Sequence, residues 1–136
     1  MGRILGIDFG MKRIGLARSD PMKMIASPFK TIQAGKNLGE TVDLVIKELE
    51  EIELIVLGLP LLLSGKDSDT TRQVREFGAL LEEKSGLPLI LWDERLTSKQ
   101  VEKLMIEGNV SRKKRAAHVD TMSATLILQN YLSQVQ

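Results

Sequence analysis

The chain has 136 residues, 19 Lys and Arg against 18 Asp and Glu, and a formal net charge of +1. It is long enough for one sizeable core and too balanced for bulk charge to indicate a partner. It contains no cysteine and one histidine, His118, which excludes disulfides, thiolate metal sites, cysteine nucleophiles and histidine-rich zinc sites. Any metal must be held mainly by oxygen, which favours Mg2+ or Mn2+. No apolar run approaches the roughly 20 residues of a spanning helix, and the N-terminus enters a strand rather than a signal sequence. A single cytoplasmic domain over 1–136, with no membrane partner, is expected.

In chain order, Ile4 to Phe9 and Ile14 to Ala17 are apolar runs of strand length joined by a glycine-bearing link, a β-hairpin. Alternation puts Asp8 on the face of Ile4 and Gly6, with Leu5, Ile7 and Phe9 opposite. Met24 to Ile32 reads as a third strand, and Pro28 confines it to a sheet edge. Leu38, Val42, Val45, Leu49 and Ile52 fall at helical spacing, which predicts a helix to about Glu51. Leu54 to Leu57 is a buried strand ending in Gly58-Leu59-Pro60, and Leu61 to Gly65 is a loop. Asp67 or Ser68 caps a helix with Val74, Phe77 and Leu81 inward, stopped by Gly86 and Pro88. Pro88 to Trp92 is another buried strand, with Asp93 and Glu94 in the link that follows. Thr97 to Gln100 forms a capping box for a helix reaching Gly108. A basic loop, Ser111 to Arg115, precedes a last helix from about Ala116 to Leu132. This order predicts an α/β fold, a mixed sheet of about five strands in which a three-stranded meander is followed by parallel strands, with helices on both faces.

Ligand sites in such sheets lie outside the C-terminal ends of the parallel strands, where Asp8, Asp93 and Glu94 are expected. Asp120 enters from the last helix, whose neighbouring Ala116, Ala117, Ser123 and Ala124 are small enough to let its backbone approach the sheet. Converging carboxylates repel unless a divalent cation neutralises them, and such a cluster suits metal-assisted phosphodiester hydrolysis. Taken singly, each acid also has an ordinary structural reading. Asp8 can accept turn N–H groups or pair with Lys12 or Arg13, Asp93 can be a turn residue, Glu94 a solvated charge, and Asp120 a polar residue on a packed helix.

Ile7 to Ala17, Gly58-Leu59-Pro60 with Gly65, Asp93-Glu94-Arg95-Leu96-Thr97, and Lys114 to Asp120 with Leu128 to Leu132 resemble the successive motifs of the YqgF family. That family is described both as Holliday-junction resolvases and as nucleases maturing the 5′ end of pre-16S ribosomal RNA. The resemblance implies a ribonuclease H-like fold, metal-dependent cleavage, and Asp8, Glu94 and Asp120 as the acidic triad, with Asp93 a possible fourth metal ligand. The chain departs from the family pattern at Met122-Ser123-Ala124 and at the apolar Leu61-Leu62-Leu63.

Lys12, Arg13, Arg95 and the run Arg112, Lys113, Lys114 and Arg115 each lie near an acid in sequence and are candidates to bind a phosphate backbone; the run also reads as a solvated loop. His118 reads as structural or surface. The expected partner is nucleic acid, pre-rRNA or branched DNA, and the expected state a monomer or weak homodimer. The alternatives are a DNA junction resolvase and a non-catalytic RNA-binding assembly factor. The Asp8-x-Gly10 hairpin also resembles the phosphate-binding start of actin-like ATPases and sugar kinases, which need two such lobes.

Overall fold

The computed structural model describes residues 2–93 and 112–135, with residues 112–120 described by their backbone alone. The elements are β1 (Arg3–Phe9), β2 (Arg13–Ser19), β3 (Ala26–Gln33), α1 (Leu38–Ile46), β4 (Ile52–Leu59), α2 (Asp69–Ser85), β5 (Leu89–Asp93) and α3 (Arg112–Gln134). The helix predicted between Thr97 and Gly108 lies outside the described residues.

The five strands form one sheet in the order β3-β2-β1-β4-β5. β1, β2 and β3 make the antiparallel meander, while β4 and β5 extend it in parallel from the other side of β1. Pro28 lies on the edge strand β3, and the ladder shifts register opposite it, between Leu16 and Ala17. A residue without an N–H is tolerated there because one side of the strand has no partner to lose.

Alternation along β1 divides the core in two. Leu5 and Ile7, with Ile14 and Leu16 of β2, pack beneath Val42 and Val45 of α1 and Val74, Phe77 and Leu81 of α2. The Phe77 ring lies 4.7 Å from Phe9 at 41°. On the other face Ile4, Ala17 and Val56 meet Ala124, Ile127, Leu128 and Leu132 of α3. Helices therefore cover both faces, as the alternation of apolar segments predicts.

The contact of α3 with β1 is close. A Cβ built on Gly6 would lie 2.7 Å from Leu128 Cβ and 3.0 Å from the Ala124 carbonyl oxygen. The direction of α3 follows from two contacts. Gly6 meets Ala124 and Leu128, whereas Ala26, which pairs with Ser19 toward the start of β1, donates its N–H to Gln129 Oε1 at 2.9 Å. Residue numbers on the helix thus fall as those on β1 rise. The N-terminal half of α3 runs toward the C-terminal end of β1.

Several expectations need correcting. α1 ends at Ile46 rather than near Glu51, because the chain tightens into Glu48 N–H to Val45 O and Leu49 N–H to Ile46 O bonds and then turns at Glu51, whose φ is +67°. Leu49 and Ile52 still reach the core, so their helical spacing was coincidental. β5 is not a fully buried strand: it is the last strand of the sheet, and Leu91 is exposed. Asp93 belongs to β5 itself rather than to the link after it. The basic run Arg112 to Arg115 is the first turn of α3 rather than a loop.

α2 starts and stops where predicted. Ser68 and Thr71 form a reciprocal capping box, and Gly86 ends the helix at φ +71°, a conformation glycine adopts without steric cost. The loop between β4 and α2 is tied at both ends. Thr71 Oγ1 donates to the Pro60 carbonyl, and Arg75 binds Asp67 through Nε at 2.7 Å and Nη2 at 3.1 Å. Hydrogen bonds from Arg75 hold the Asp67 carboxyl below its ordinary value of 3.8. Among the described residues no helix is long and apolar enough to cross a membrane.

Two outcomes follow from this packing. Gly6→Ala forces backbone and Cβ atoms apart, neither of which can rotate away, and is expected to destabilise the fold by about 1–3 kcal/mol in urea denaturation. Arg75→Leu should raise the Asp67 pKa toward 3.8, read by NMR titration. A carboxylate with a depressed folded pKa stabilises above its unfolded value and loses that contribution as pH falls through the folded one. The stability gap between wild type and Arg75→Leu should therefore be present at neutral pH and close in acid.

Candidate active site

Asp8 is the next-to-last residue of β1 and is half-buried. Its partner on β2 is Gly15. On β4 the parallel register runs to Ile7 opposite Leu57, so the next step sets Gly58 beside Asp8. Residues directly opposite share a face. The carboxylate therefore stands on the α3 face with a glycine on each flank. Along the strand, Gly6 is the preceding residue on that face, held against α3.

Asp120 lies four residues before Ala124, about 6 Å along the helix, so α3, antiparallel to β1, carries its backbone toward the C-terminal end of that strand. The small residues read from the sequence permit this approach: Ser123 and Ala124 are buried, and the Ser123 hydroxyl has no hydrogen-bond partner among the described residues.

Asp93 is placed differently. It pairs with Leu59, whose side chain is in the α1/α2 core, so Asp93 projects from the face opposite Asp8. Its neighbour Trp92 pairs with Gly58 and stands edge-on to Tyr131 of α3 at 5.5 Å. The register thus separates Asp93 from Asp8 by the thickness of the sheet as well as by the intervening strand β4. Glu94 lies outside the described residues, as does Arg95. No group of three His, Asp or Glu residues able to hold a metal occurs among the described residues, which include Asp8 and Asp93 but neither Glu94 nor the side chain of Asp120.

Lys12 is exposed in the β1–β2 turn and Arg13 opens β2, half-buried. Both stand at the same sheet edge as Asp8. Arg112, Lys113, Lys114 and Arg115 form the first turn of α3, N-terminal to Asp120. Among the described side chains the acid at this edge on the α3 face is Asp8, a hard-oxygen group of the kind Mg2+ or Mn2+ prefers over a soft metal.

A second feature at this edge was not legible in the sequence. A cleft of about 250 Å³ opens on the α1/α2 side, between the hairpin turn, the β3–α1 link and the first half of α2. Phe9, the residue after Asp8, lines it; periodicity identifies Phe9 only as core.

The family model of RuvX, described as Holliday junction resolvase, matches residues 2–134. Proteins named "Putative pre-16S rRNA nuclease" from Protochlamydia amoebophila and Koribacter versatilis are each 46% identical. They cover 96% and 98% of this chain, and 92% and 88% of their own lengths are matched. The structure of Thermus thermophilus RuvC with a Holliday junction superposes with a TM-score of 0.59 at 15% identity, covering 99% of this chain and 96% of that one. At that identity the likeness is one of fold, the ribonuclease H-like fold that the YqgF resemblance implies. With nearly its whole length matched, the chain belongs to the RuvX family of nucleases.

Proposed function

We propose that the protein, as one domain over 1–136, is a divalent-metal-dependent endonuclease acting in the cytoplasm on structured nucleic acid. Its substrate in this reading is the 5′ end of pre-16S ribosomal RNA. What supports the proposal is Asp8 near the C-terminal end of β1, opposite Gly15 on β2, together with an α3 whose N-terminal half, bearing Asp120, runs toward that end of the strand. The names of the 46%-identical relatives favour RNA as substrate.

Asp8, Glu94 and Asp120 would hold Mg2+ or Mn2+, which when bound lowers the pKa of an attacking water and stabilises the leaving oxygen. Asp93, on the other face, is the weaker ligand candidate. Lys12, Arg13 and Arg95 would orient the scissile phosphate, and Arg112, Lys113, Lys114 and Arg115 would hold the backbone further along. Four cations in the first turn of a helix oppose its dipole, at about 0.3–1 kcal/mol each when exposed. A polyanion bound there removes that cost.

A second reading, cleavage of a DNA junction, is favoured by the description of the family. Symmetric junction cleavage needs two copies, whereas end maturation of RNA works as a monomer. Comparing cleavage of a pre-16S leader RNA and a four-way DNA junction, with the oligomeric state measured by sedimentation, separates the two.

Asp8→Asn, Glu94→Gln and Asp120→Asn should each lower cleavage by at least about a hundredfold while circular dichroism stays unchanged. EDTA should abolish wild-type cleavage, and Mg2+ or Mn2+ should restore it. Retained activity in any variant removes that residue from the triad, and a wild type that binds RNA without cutting it would instead be an assembly factor. Replacing Arg112, Lys113, Lys114 and Arg115 by Gln should flatten the dependence of log binding constant on log salt by about one unit or more. An unchanged slope would return the run to a solvated role.

A further inference from the structure

We propose that the cleft on the α1/α2 side of β1 receives one unpaired nucleobase of the substrate, from a nucleotide adjoining the scissile phosphate. This rests on the nuclease reading and deepens it. The cleft lies outside the C-terminal end of β1, at the edge where open α/β sheets bind ligands, and it is continuous in sequence and space with Asp8 through Phe9. Its volume of about 250 Å³ is below the roughly 300–1,000 Å³ of pockets for drug-sized ligands and suits one planar ring system.

The lining fits a base better than a peptide or a lipid chain. Phe9 presents an aromatic ring held in place by Phe77, and Met11, 64% exposed in the hairpin turn, presents a polarizable thioether that can cover a ring. Gln73 and Glu76 of the lining carry hydrogen-bonding groups, and Asn37, whose Oδ1 accepts from the Glu40 N–H as the cap of α1, keeps its amide N–H groups to donate. Lys36 supplies a cation at the rim for the nucleotide's own phosphate.

Asp8 and Phe9 are successive residues on opposite faces of one strand. A strand of nucleic acid whose phosphate sits at Asp8 must cross the hairpin turn to reach the cleft. One unpaired nucleotide spans that gap, whereas a stacked base pair does not turn the corner. The cleft therefore selects a cut beside a single-stranded position, read by stacking and shape.

The probe is a synthetic RNA hairpin with a single-stranded 5′ extension, carrying one abasic residue scanned through the positions flanking the cut. Cleavage is followed in Mn2+ and binding in Ca2+ by fluorescence anisotropy. Wild type should lose about tenfold in binding and cleavage when one flanking position is abasic, the lower end of what a stacked base is worth. Met11→Ala with Gln73→Ala, at an exposed and a half-buried position outside the proposed triad, should bind intact RNA about as weakly as wild type binds the abasic one. That variant should be indifferent to the abasic substitution. Additive losses, or tolerance of an abasic residue at every flanking position by wild type, would overturn the proposal. Anisotropy reads the cleft whether or not RNA is cut, so a wild type that cleaves nothing defeats the nuclease reading alone.

Discussion

The structure depends on the close approach of α3 to β1 at Gly6. A side chain at that position would collide with Leu128 and with the Ala124 backbone, so its absence sets how near the helix can lie. Everything on that face follows. Ile4, Ala17 and Val56 are covered by Ala124, Ile127 and Leu128 at this spacing. A larger residue at Gly6 or Ala124 would lift the helix from the sheet.

A carboxylate inside a strand with two covered faces is costly unless something compensates it. Asp8 stands at such a position, opposite Gly15 of β2, and is engaged by a partner of its own. The loop after β4 is braced separately, by the Asp67–Arg75 pair and the bond from Thr71 to Pro60. That bracing gives the edge of the sheet a defined shape beside Gly58.

Much of this was legible from residue order. Period-two and period-3.6 patterns located the hairpin, the edge strand with Pro28, α2 with its cap at Ser68, and the small-residue face of the last helix. What escaped has identifiable causes. The end of α1 was masked because Leu49 and Ile52 continue the helical spacing by accident, while the stop is a left-handed Glu51 that no glycine announces. Arg112 to Arg115 looked like a loop because like charges in succession suggest solvation, although all four residues are good helix formers. The separation of Asp93 from Asp8 depends on strand register, which a single sequence does not encode locally. The cleft beside Phe9 arises between three segments distant in the chain, and no local pattern marks it.

The hydrogen bond from Ala26 to Gln129 joins residues 103 apart, and the seam at Gly6 joins an early strand to a late helix in the same way. During translation β1 emerges long before α3 exists to cover it. That face of the strand therefore stays bare until nearly the whole chain has been made, and loop closure over that distance is among the slower steps of folding.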